Sequence, residues 1–369
     1  MARIGIVSYN RYGNFTNYGS ALQSWAMCRA VDKLGAQSVL VDYLPEVLRD
    51  KNPLNPMAHM WDTDPVARRQ CEMSLPAIRE NYQKFQRFFA GQFRNTHCRY
   101  TAQNFASCPT DEGLQGFLCG SDTIFCTDEF GFDDGYYARY PVMQGRSAAY
   151  AASFGDAVFG PDTLPVLAQK LQGFLAIGLR ESPMVNWVRD HTSVPVQRVI
   201  DPTLLLTAED YAPIIAPRQQ AGEYLLLYAR RYNPAMERFA METARRLGVQ
   251  VVEISLRAEN AAHHPMFYQA GVEEFLSLVR HAACVVTNSY HGMIFSVQLK
   301  RPFYLFSREQ CDGKIGELLS LMGLTGRLLV TGREAVAPTV DYDAVDAALA
   351  PARRDSLAFL QNELDLLTR

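Results

Sequence analysis

Val285-Val286-Thr287-Asn288-Ser289-Tyr290-His291-Gly292-Met293-Ile294-Phe295-Ser296 reads as a buried strand that ends abruptly in polar residues before an apolar, helix-like pattern begins. Strands of open α/β sheets deliver binding residues at their carboxyl ends, where the following helix also offers unpaired backbone N–H groups to an anion. His291 stands at that handover. Taken alone, it is either a site residue or a hydrogen-bonded strand end, and the surrounding chain has to decide between the two.

Outward from this stretch the pattern is regular. Before it come a strand at 223–229, a helix at 234–247 stopped by Gly248, a strand at 249–255, and a helix at 271–283 with Val272, Phe275, Leu276 and Val279 on one face. After it come a helix over 292–299 and a strand over 302–306. The polar, proline-bearing segment 213–222 reads as a linker, and the alternation upstream of it is the same. Strand 4–9, helix 20–34 and strand 39–43 form a βαβ opening, which predicts a parallel sheet with right-handed crossovers. Four later strands end in small or charged residues and line up Ser121, Asp122, Ser153, Arg180, Glu181 and Asp201 on one rim. For any single ending, capping of the next helix explains the residue as well.

The predicted fold is α/β: two doubly wound domains facing across a cleft, with a helical insert and a C-terminal helix. Residues 1–212 form the first domain, with the insert at 45–112 packed over one sheet edge; residues 223–340 form the second, and 341–369 a helix returning across both. In the insert, Tyr82, Phe85, Phe88 and Phe89 recur at helical spacing and read as a core-facing stripe.

Composition narrows the partners. A chain of 369 residues exceeds the size at which one core keeps growing, and a net charge of -3 gives no general reason to expect nucleic acid. No apolar run spans a bilayer and no cleavable leader precedes the first strand, so a cytoplasmic location is the expectation, with peripheral membrane contact left open. Eight cysteines show no C-x-x-C pair, and His263-His264 has no ligand-spaced carboxylate and reads as a surface turn, so no metal is expected. The loop from Asn14 to Ser20 lacks G-x-G-x-x-G spacing, which argues against a nicotinamide or flavin cofactor.

Six ordered motifs carry a family likeness: Asn17-Tyr18-Gly19-Ser20-Ala21-Leu22-Gln23, Gly120-Ser121-Asp122, Tyr150-Ala151-Ala152-Ser153-Phe154-Gly155, Arg180-Glu181-Ser182, Asp201-Pro202-Thr203-Leu204-Leu205 and Thr287-Asn288-Ser289-Tyr290-His291-Gly292. Together the set resembles the polysaccharide pyruvyl transferase family from the first strand to about residue 330, and the resemblance implies a GT-B-like fold of two Rossmann-like domains. The resemblance implies transfer of pyruvate from phosphoenolpyruvate, as co-substrate, onto hydroxyls of a saccharide or lipid-linked oligosaccharide as a cyclic ketal. It places the family histidine on His291, a motif arginine on Arg180 and the donor lysine on Lys314 within Asp312-Gly313-Lys314-Ile315. Arg180, Ser289, His291, Gly292 and Lys314 are then the expected donor-binding residues, with His291, Arg180 and Asp201 catalytic. Asn17, Tyr18, Gly19, Ser121, Asp122 and Ser153 are the expected acceptor side. His291 either moves protons or holds phosphate as a cation. A nucleotide-sugar glycosyltransferase and a non-catalytic carbohydrate-binding relative are the competing readings, and a small-metabolite acceptor stays open.

Overall fold

The computed structural model of the chain describes residues 1–56, 64–155, 157–308, 312–334 and 339–369; part of the insert and Cys311 lie outside them. Short apolar runs form two sheets in which every strand pairing is parallel. The first contains β1 (Arg3–Val7), β2 (Gln37–Leu40), β3 (Gly116–Cys119), β4 (Ser147–Ala152), β5 (Ile177–Leu179) and β6 (Val196–Arg198), in the order β2-β1-β3-β4-β5-β6. The second contains β7 (Tyr224–Tyr228), β8 (Gln250–Ile254), β9 (Cys284–Thr287), β10 (Phe303–Phe306) and β11 (Leu328–Leu329), in the order β11-β10-β9-β7-β8. Helices cover both faces of such sheets, so their strands need continuous rather than alternating apolar sequence; Tyr224–Tyr228 and Cys284–Thr287 are buried at every position. Each order reverses next to its first strand, between β1 and β3 and between β7 and β9. Those are the topological switch points at which such sheets bind ligands.

The helices that bear on the centre of the molecule are α1 (Tyr18–Lys33), α2 (Pro65–Gln92), α3 (Ser182–His191), α4 (Val272–Arg280), α5 (Tyr290–Gln298), α6 (Asp312–Leu321) and α7 (Tyr342–Leu367). Two boundaries differ from the sequence reading for local reasons. Ser289 caps α5 by accepting the Gly292 N–H at 3.1 Å, so the helix begins before His291 and the histidine sits in its first turn. The strand expected through 198–203 stops at Arg198, because Asp201 accepts from the Thr203 N–H at 3.0 Å and turns the chain into a short 3-10 segment.

The insert reaches both sheets. Its residues 94–100 run along the edge strand β2, with the Leu40 N–H donating to the Arg94 carbonyl at 2.7 Å and the Thr96 N–H to the Leu40 carbonyl at 3.1 Å. Phe85, Phe88 and Phe89 of α2 are buried, and that helix bridges to the second sheet's helices. Its polar residues make that bridge: Lys84 donates to Glu274 at 2.7 Å, and Asn81 to the Ala270 carbonyl at 2.6 Å. Helix α7 follows the second sheet yet returns to the first. Leu367 packs on Gly116 and Phe359 on Gly178, where a Cβ would come within 2.9 and 3.1 Å of them respectively. One cluster of buried apolar side chains runs through both sheets, from Ile4, Leu22 and Leu118 to Leu226, Val285 and Phe295. Among the described residues no helix is long and apolar enough to cross a membrane.

Candidate active site

The two switch points meet at His291. Asn17 caps α1 by accepting the Gly19 N–H at 3.0 Å, which brings Gly19 into the first turn of that helix. The His291 ring, from the opposite sheet, lies against it: a Cβ on Gly19 would stand 2.1 Å from Nδ1. The glycine is therefore a steric requirement of the histidine's position. On its other side, His291 Nε2 is buried, has no hydrogen-bond partner among the described residues, and stands 3.5 Å from Asp201 Oδ2.

Asp201 is the hub. It is 1% exposed, accepts from the Thr203 hydroxyl at 2.6 Å through Oδ1, and accepts from Arg180 Nη1 at 2.8 Å through Oδ2. Burial works to raise its carboxyl, yet His291, Arg180 and the Thr203 hydroxyl outweigh that and hold it far below the ordinary carboxylate range. A carboxylate so depressed is a poor base; its chemistry is to fix the groups around it. Arg180 is 6% exposed and delivered by the end of β5. Burial opposes its charge, but Asp201, Tyr290, Glu181 and Asp122 keep it firmly protonated. One guanidinium nitrogen is spent on Asp201. Nε and Nη2 have no hydrogen bond among the described residues, Nη2 being 3.9 Å from Asp122 Oδ1. A buried fork with two unspent donors is suited to an anion.

Tyr290 joins this group to the second sheet. Its ring lies 5.7 Å from the Arg180 guanidinium carbon and 5.7 Å from Lys314 Nζ, so two cations from different sheets flank one aromatic ring. Arg180, Asp201, Tyr290 and Lys314 form the inner end of a cavity of about 720 Å³ that runs out between β6, α6 and α7. Sequence reasoning quoted Tyr290 without giving it a role; its place beside the histidine at a switch-point strand end was the available signal.

Other expected site residues prove to be supports. Ser121 is fully buried and bonds to Gln23 Oε1 through both N–H (3.1 Å) and hydroxyl (2.8 Å). Ser153 is fully buried and donates to Glu181. The Tyr18 hydroxyl donates to the Ala270 carbonyl at 2.8 Å, and its ring stacks on Phe275 at 4.4 Å, so it ties α1 to the second sheet. Gly292 spends its N–H on Ser289, and a Cβ there would fall 2.7 Å from Thr287 Oγ1; close packing requires the glycine. Asp122 does face the centre: it sits at a left-handed φ of 70°, accepts from Ser20 Oγ at 2.5 Å, and approaches Arg180. His264, expected on a surface turn, is instead 9% exposed and 2.7 Å from Glu253, an ion-pair position that anchors the loop after β8.

Fold and site together define a two-sheet α/β protein whose centre is a buried Asp–Arg–His group shared between the sheets. The chain belongs to the polysaccharide pyruvyl transferase family, whose model matches residues 17–310. That family is one of transferases. No curated protein matches the chain. Among solved structures it is similar to the UDP-N-acetylglucosamine 2-epimerase of Rickettsia bellii, at 10% identity over 99% of this chain and 96% of that one, TM-score 0.49. It is also similar to the UDP-GlcNAc 2-epimerase of Neisseria meningitidis bound to UDP-GlcNAc, at 10% identity over 98% and 94%, TM-score 0.46. The spinosyn rhamnosyltransferase SpnG in complex with thymidine diphosphate follows at 11% identity over 99% and 96%, TM-score 0.40. Likenesses at this level say nothing about the chemistry of this chain.

Proposed function

We propose that this protein transfers the pyruvyl group of phosphoenolpyruvate to two hydroxyls of a saccharide, forming a cyclic ketal on a surface polysaccharide or glycoconjugate precursor. The observation that carries the reading is the pair of cations, Arg180 and Lys314, set around Tyr290 beside the Asp201–His291 pair. Phosphoenolpyruvate presents a carboxylate and a phosphate on a three-carbon frame. Two fixed cations with unspent donors match two anions better than they match one.

In this reading the unspent Nε and Nη2 of Arg180 take the carboxylate and Lys314 the phosphate. His291, held in orientation by Asp201 and Gly19, supplies and collects protons. C3 of the enol gains a proton as a C–H bond forms, and the first sugar hydroxyl adds to C2 and releases its own proton. The second hydroxyl then displaces phosphate at C2. The two hydroxyl protons account for the one gained at C3 and the one carried away on the phosphate. Asp122, 3.9 Å from Arg180 and bonded to Ser20, faces the same centre and orients the attacking hydroxyl. Its donor makes the cytoplasm the natural site of action.

The test is phosphate release from phosphoenolpyruvate in the presence of a panel of hexosides, with a thermal-shift screen of phosphoenolpyruvate against nucleotide sugars alongside. Acceptor-dependent phosphate release supports the reading. Stabilisation by a nucleotide sugar but not by phosphoenolpyruvate would replace it with glycosyl transfer.

A further inference from the structure

The family match ends at residue 310, but helix α7, at Tyr342–Leu367, forms one wall of the cavity that leads out from Arg180 and Asp201. The two ends of that cavity differ in chemistry. The inner end carries the cations. At the outer end Asp355, Phe359 and Asn362 stand at i, i+4 and i+7, one face of a helix, and all three line the cavity. The Asp355 carboxylate and the Asn362 amide are exposed and have no hydrogen-bond partner among the described residues, whereas Ser356 between them is spent on the Ile200 N–H at 3.1 Å. Phe359 is 8% exposed and contributes a small apolar surface to the cavity, which the small side chains of Ala352 and Ala358 also line.

This outer wall is wrong for a second anion. Arg198, its cation, is paired with Glu317 at 3.0 Å, and Asp355 adds a negative charge. It is right for a neutral polyol: a carboxylate that accepts from hydroxyls, an amide that both donates and accepts, and a small apolar surface from Phe359 for C–H groups. A volume of about 720 Å³ also lies within the ordinary range of small-ligand pockets. Of the expected acceptor residues in the first sheet, Ser121 and Ser153 are fully buried and Tyr18 is engaged with Ala270, which leaves Asp122 at the inner end facing the reacting hydroxyl.

We propose that the Asp355–Phe359–Asn362 face of α7 is the acceptor subsite, holding one sugar ring so that its hydroxyls point toward Arg180 and Asp201. The assignment of acceptor rests on the pyruvyl-transfer reading above; the presence of a saccharide site there does not. Acceptor choice is then set by a helix outside the matched span.

Binding of a panel of methyl hexosides to the full chain, by saturation-transfer NMR and calorimetry with and without phosphoenolpyruvate, tests this directly. Asp355→Ala and Asn362→Ala replace exposed helical residues with the best helix former, so the fold persists. Each is expected to weaken hexoside binding roughly 3- to 10-fold, the worth of one hydrogen bond. Ala358→Trp fills the cavity and is expected to abolish hexoside binding, with phosphoenolpyruvate affinity retained in all three variants. Unchanged hexoside affinity in the three variants, or no hexoside bound by the unaltered protein, overturns the subsite. Should the protein neither bind nor turn over phosphoenolpyruvate while hexoside binding still depends on these residues, the subsite stands and pyruvyl transfer falls. Phosphate release that persists with unaltered acceptor dependence in the variants has the reverse meaning.

Discussion

In the proposed reaction His291 works only if its ring is held, and the group packed against that ring is a glycine from the other sheet. Gly19 lies in the first turn of α1, where an alanine would ordinarily favour the helix by up to about 1 kcal/mol. Here its Cβ would collide with the His291 ring. Gly19→Ala is therefore expected to cut turnover about 100-fold, the usual penalty for a group displaced by about 1 Å, with a folded protein by circular dichroism. Undiminished turnover would mean that the ring position does not matter. His291→Gln is expected to lower kcat by roughly 10²- to 10⁴-fold with donor affinity nearly kept, whereas a phosphate-binding role would appear instead as a large rise in donor KM. Arg180→Lys retains charge but loses the fork, and the donor KM should rise. Asp201→Asn leaves Arg180 without its buried counter-charge. We expect a stability loss of about 3–5 kcal/mol in denaturant titration, because breaking a buried pair leaves the other charge unpaired.

At the scale of elements, α7 carries a feature that the site does not use. Glu363 is fully buried and neither carboxyl oxygen has a hydrogen-bond partner among the described residues; burial alone pushes it well above the usual carboxylate value. Cys119 and Tyr150, the titratable groups whose own ionisation its charge would oppose, are likewise pushed up by burial. The folded protein keeps the proton on Glu363, while the unfolded chain loses it above pH of about 4.3, so the native state grows less stable as pH rises from there toward the raised folded value. Glu363→Gln should flatten that dependence and Glu363→Leu should raise the melting temperature at pH 8, with the gain shrinking toward pH 4. A gain independent of pH would show that the carboxyl is ionised in the fold.

For the whole molecule, the two sheets share one apolar cluster, and buried polar ties join them: Tyr18 to Ala270, Asn81 to Ala270, and Gln298 to the Thr203 and Leu206 carbonyls at 2.6 and 2.9 Å. Thermal unfolding is accordingly expected as a single calorimetric transition, since neither sheet keeps its core when the other melts. Two resolved transitions would show that the cluster is divisible.

Much of this was legible along the chain. The strand–helix alternation, the parallel sheets and the rim of Asp122, Arg180, Asp201 and His291 follow from short-range signals: apolar runs of strand length, a helix stop at Gly248, and polar residues at strand ends. Those signals are local because backbone hydrogen bonding and burial period are local. What the tertiary structure alone decided was which of these polar groups face the centre and which brace it. Ser121 and Ser153 carry the same chemistry as site hydroxyls but turn inward to Gln23 and Glu181, partners 98 and 28 residues away. The seat of His291 on Gly19, the sharing of Tyr290 by Arg180 and Lys314, and the return of α7 to the first sheet likewise join residues far apart in the chain. Sequence determined the elements and the residue types at their ends. Packing of one sheet against the other, which no local pattern encodes, determined the site.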